Sequence, residues 1–131
     1  MQEDREVLHN CFEQLANINT DITAAVYAGL NARMPAANQH MDYMDDRMKG
    51  RMLDQVYKLL LGEVDRDYLA FETRMHKGYG ADTALYRGLL CAVKDAVSAA
   101  LGERWSADDD CAWDRSIERI LSEIGQLEAF G

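Results

Sequence analysis

Apolar residues recur three and four positions apart along almost the whole chain, whereas period-two alternation held over a strand's length is hard to find. That periodicity predicts an all-α fold. A first helix is expected over about residues 3–16, with Val7, Leu8, Cys11, Phe12 and Leu15 as its buried stripe. Asn17 to Asn19 break it, because Asn favours caps and turns. A second helix is expected to start near Thr20 as its cap and to carry Ile22, Val26, Tyr27 and Leu30 toward Pro35, the single proline.

A methionine-rich helix is expected from residue 41 or 42 to 61, with Met41, Met44, Met48, Met52, Val56, Leu59 and Leu60 on one side and Gly62 at its end. Asp42, Asp45 and Asp46 read as its solvated N-terminus. A shorter helix over about 65–77 presents Tyr68, Leu69, Phe71 and Met75 and closes at His76, where the glycines of KGYGAD turn the chain. The next, over about 82–101, buries Leu85, Leu89, Leu90, Val93 and Val97 and stops at Gly102. The last has the clearest start: Ser106 as cap and Asp108, Asp109 and Asp110 in the first turn, ahead of Trp113, Ile117, Ile120, Leu121, Ile124 and Leu127.

The chain has 131 residues, 48% of them apolar, which predicts one domain over 1–131. A domain of that length buries roughly two thirds of its unfolded-state surface and needs no metal or disulfide to hold its core. Fourteen basic side chains face 23 acidic ones, and the formal charge of −9 argues against partners held through a basic face, namely nucleic acid and anionic membranes. Cys11, Cys91 and Cys111 form no CxxC pair, and a reducing cytosol fits them best. Cys91 and Cys111 fall on apolar faces and read as buried. No run reaches the ~18 apolar residues of a membrane span, and the N-terminus has no signal-like apolar segment, so a cytoplasmic protein is expected.

No phosphate loop, GxSxG motif or metal-spaced histidine pair is visible, which turns the reading from catalysis toward binding. Of the three histidines, His9 reads as solvated surface and His40 as a surface or capping residue. His76 stands in a richer context. From it the chain reads HKGYGADTALY to Tyr86, then an apolar helix, then LGERWSADDDCAW and a final amphipathic helix.

In this stretch the chain resembles the globin family, particularly the single-domain globins of bacteria. In those proteins the haem-iron histidine ends a short helix, a glycine-containing turn follows, and a tyrosine ten residues on opens the next long helix; His76 and Tyr86 match that interval. A second match lies in the other half: globins place the residue that faces the bound gas eight before a helix-breaking proline, and Tyr27 stands eight before Pro35. The resemblance covers nearly the whole chain in helix order, and the specific part runs over 76–113.

The resemblance implies a globin-like fold of about six to seven helices, shortened between the third and fourth, and a haem b cofactor with His76 on the iron. Glu72 or a nearby backbone carbonyl would accept from the other imidazole nitrogen and fix the ring. Phe71, Met75, Leu89, Leu90 and the methionines Met41, Met44 and Met52 would wall the porphyrin, and Tyr27 would donate to the bound gas. Met48, favoured by periodicity, or Arg47 would be the distal residue; a distal methionine also opens a six-coordinate His–Met site suited to electron transfer. The ligands implied are O2, NO or CO, held by a monomer or homodimer, with nitric oxide dioxygenation if an external reductase supplies electrons. Two departures stand out. Met41 occupies the place where globins set a phenylalanine against the haem, and the double-glycine motifs of truncated globins are missing. They leave a competing expectation, a haem-free globin-like sensor or interaction domain that binds an apolar ligand or a partner helix.

Overall fold

The computed structural model describes residues 2–35, 44–64, 67, 69 and 83–130. They form five α-helices, α1 (Gln2–Asn17), α2 (Thr23–Arg33), α3 (Asp46–Leu60), α4 (Thr83–Leu101) and α5 (Ala107–Phe130), with a 3₁₀ turn, Gly102–Arg104, before the last. No strand occurs among the described residues, so the all-α expectation holds. The expected helix over 65–77 lies almost wholly outside them; within it Asp67 and Leu69 are helical, and Leu69 is buried.

Helix α1 buries Leu8, Cys11 and Leu15, the positions its periodicity predicts. It ends where Asn19 enters the left-handed region at φ 53°, with the Thr20 amide returning to the Leu15 carbonyl and the Asn19 amide to that of Ala16. This is a Schellman cap with asparagine in the usual glycine place. Helix α3 closes the same way: Gly62 sits at φ 72°, the Glu63 amide reaches the Lys58 carbonyl, and the Gly62 amide reaches that of Leu59.

Two helix starts differ from expectation. Thr20 does not cap α2; the Asp21 carboxylate accepts from the Thr23 amide at 2.9 Å, and the helix opens at Thr23. The Thr20 hydroxyl turns back to the Ile18 carbonyl instead. Helix α3 begins at Asp46, later than residue 41 or 42, because Asp45 is its N-cap and takes the Met48 amide at 2.8 Å. Met44 therefore precedes the helix. The start of α5 is as expected: Ser106 Oγ accepts from the Asp109 amide at 3.1 Å and the Asp109 carboxylate accepts from the Ser106 amide at 2.9 Å, a reciprocal capping box with Asp at its third position.

Helices α2 and α4 pack most extensively, α1 lies along α5, and α4 bridges to α1 and α5, while α3 touches α2 and α5. Gly88 lets α2 and α4 approach: a Cβ there would stand 2.8 Å from Met34 Sδ and 3.3 Å from Leu30 Cδ1. One hydrophobic cluster runs through all five helices, with Leu8, Val26, Leu30, Leu53, Val93 and Trp113 at its centre. Trp113 is fully buried, with its ring 5.6 Å from Phe12 and 6.1 Å from Trp105, and Phe12 in turn lies 4.9 Å from Tyr57 of α3. Among the described residues no helix is long and apolar enough to cross a membrane.

The cysteines divide. Cys11 is buried, and loss of solvent raises its thiol pKa, whereas Cys91 is half-buried and Cys111 exposed. The apolar flank of Cys111 misled the burial expectation; its side falls on the solvent face of α5, one residue before the buried Ala112 and Trp113.

Candidate ligand-binding site

Residue Tyr27 reaches from α2 to α3. The side chain is buried among Val26, Leu30 and the rest of the core, and its hydroxyl donates to the Lys49 main-chain carbonyl at 3.1 Å. The Lys49 ammonium lies 5.3 Å from the centre of the same ring, within range of a cation–π attraction. Burial pushes the Tyr27 phenol up to about 12. Tyr57, on the same α3, is also raised, first by burial and then by the carboxylates of Asp21 and Asp54 and by Tyr27 itself. Both rings thus stay neutral across the physiological range, and each keeps a hydrogen to donate.

That placement joins two parts of the chain: the residue expected to face a bound gas, and the start of the helix expected to carry its distal partner. The remaining residues fall unevenly. Leu90 is buried in α4, Tyr86 is partly buried against the core, and Met52 packs on the core edge. Met44 is half-buried ahead of α3, and Arg47 is exposed in its first turn. Met41, Phe71, Met75 and His76, with His40 and Glu72, lie outside the described residues.

Met48 departs from its expected place on the buried stripe, since it is the large apolar side chain left 40% exposed. The inward face of α3 is set by Leu53, Val56, Tyr57 and Leu60, spaced three, one and three apart, and at about 100° per residue Met48 stands well off that face. A stripe drawn through the methionines is rotated from the true one. Leu53, 1% exposed, is the inward-facing residue that the methionine pattern concealed, and the spacing from Leu53 to Leu60 was its signal. The Lys49 carbonyl had no signal at all, because a backbone acceptor carries no side-chain identity.

His9 is exposed and lies 3.6 Å from Glu13 one turn on, the surface placement expected of it. Among the described residues no group of three His, Cys, Asp or Glu side chains converges as a metal site. No protein-family model matches the chain, and no curated protein matches it.

Proposed function

We propose that the chain is a globin-like haem protein of six to seven helices, with His76 as the axial ligand and O2, NO or CO bound on the opposite side. The observation that carries the proposal is the Tyr27–Lys49 hydrogen bond, which holds a neutral, buried phenol at the junction of α2 and α3. The sequence interval from His76 to Tyr86 and the order of the helices support the same reading.

The residues suit haem b chemically. A neutral imidazole on His76 would ligate iron, the core residues Leu90 and Met52 would supply apolar contact, and the buried Tyr27 would supply one donor in a dry setting. Haem would provide the iron that binds the diatomic ligand. The protein's own part is to exclude water and to offer the Tyr27 hydrogen. That hydrogen now serves a backbone carbonyl, so turning it to a ligand exchanges one hydrogen bond for another at small net cost. Any nitric oxide dioxygenation would draw electrons from a separate reductase.

The test is haem uptake by His76→Ala. Full-length protein is expected to bind one hemin per chain, while the variant, folded by circular dichroism, loses the native Soret spectrum. Stoichiometric uptake with an unchanged spectrum in the variant would sink the ligand assignment. A second reading, a haem-free sensor or interaction domain, is favoured by the same bond seen differently: Tyr27 is already satisfied by Lys49 and requires no ligand. Colourless protein that refuses added hemin and carries extractable lipid would select it.

A further inference from the structure

Three parts of the chain distant in sequence meet around a cleft of about 160 Å³: Arg5 on α1, the Leu59–Gly62 end of α3, and Arg119 and Glu123 on α5. We propose that this cleft binds a small monocarboxylate with a short aliphatic chain. The inference is independent of the haem reading.

Charge supplies the first argument. The other basic residues drawn into ion pairs are Arg33 with Asp95, Arg87 with Glu118, Lys94 with Asp110 and Asp114, and Arg115 with Asp4. Arg5 and Arg119, like Arg47, Arg51, Lys58 and Arg104, form no side-chain ion pair or hydrogen bond among the described residues, although the chain carries nine more negative than positive charges. Both line the cleft. With Glu123 the lining side chains carry one net positive charge, which a single carboxylate would neutralise, although the nearby Asp4 carboxylate also feels Arg119. A dianion would meet Glu123.

Shape supplies the second. The Arg5 guanidinium packs closely on Gly62, where a Cβ would lie 2.5 Å from Arg5 Cζ. A planar guanidinium can take a carboxylate through two parallel bonds. The rest of the lining, Leu59, Val64, Leu69 and Ile120, is apolar and suits a hydrocarbon tail. A cavity of about 150 Å³ accommodates benzene, so the volume here matches a ligand of roughly that bulk, a carboxylate of five to seven carbons.

The experiment is an amide NMR titration of the full chain with sodium hexanoate, 1-hexanol and hexylamine. Hexanoate is expected to give saturable shifts centred on the amides of Arg5, Gly62 and Glu123, with hexanol and hexylamine at least about tenfold weaker. The double variant Arg5→Gln, Arg119→Gln should keep the native spectrum and weaken hexanoate binding by a similar factor. Shifts that fail to saturate, equal response to hexanol, or full affinity in the folded double variant would overturn the proposal. Loss of haem binding would not touch it, because the titration reads no cofactor signal.

Discussion

The Tyr27 hydroxyl and the Lys49 carbonyl are joined at 3.1 Å across 22 residues of sequence, and this bond fixes how α2 meets the first turns of α3. Deleting the hydroxyl as Tyr27→Phe keeps the ring in the core and removes only the bond. A loss of about 1 kcal/mol in urea unfolding is expected. In haem-loaded protein the same change is expected to speed O2 release by about tenfold or less while leaving CO release nearly unchanged, since CO is the weaker hydrogen-bond acceptor. Stopped-flow ligand displacement reads both rates.

Acid should weaken the clamp between α1 and α5. Arg115 donates to both carboxylate oxygens of Asp4, 111 residues away, and that hydrogen bonding holds the Asp4 carboxyl below its ordinary value, against the opposing effect of burial. Because the folded pKa is depressed, the contribution is complete above the unfolded value of about 3.9 and disappears as pH falls through the lower folded value. Asp4→Asn is therefore expected to destabilise the protein at neutral pH and to flatten the fall in stability below about pH 4. Urea midpoints measured from pH 7 down to pH 3 check this.

Trp113 anchors the aromatic contacts with Phe12 and Trp105 at full burial. Truncation as Trp113→Ala should cost about 3–5 kcal/mol, a large share of the 5–15 kcal/mol typical of a whole domain. Trp113→Phe fills much of the space and should cost clearly less. Chemical unfolding followed by circular dichroism separates the two.

The Ser106–Asp109 capping box starts the longest of the described helices. Ser106→Ala is expected to cost about 1 kcal/mol and lower the melting temperature by a few degrees, whereas Ser106→Asp should keep most of the stability because its carboxylate can accept from the same amide. Differential scanning calorimetry distinguishes these outcomes.

Much of this architecture is written in local sequence. The stripes of α1, α4 and α5 follow their apolar spacing, and Ser106 with three aspartates marks a helix start that the structure reproduces. Local signals misled where two capping groups competed: Asp21, an ionised acceptor, took the Thr23 amide in place of the Thr20 hydroxyl. The methionines misled differently. Met44 extends an apparent stripe ahead of the helix that Asp45 caps and Met48 stands on its solvent side, while Leu53, Tyr57 and Leu60 define the face that is buried. The contact of Asp4 with Arg115, and the placing of Arg5 and Arg119 along one cleft, are products of tertiary packing and leave no mark on the local pattern.

The central claim is haem binding with a ligand-accessible iron, and optical spectroscopy of the full chain tests it most directly. After hemin loading and reduction with dithionite, the Soret band is expected to sharpen and shift when carbon monoxide is added, at one haem per chain. Protein that is folded yet develops no Soret band of its own with added hemin would contradict the claim.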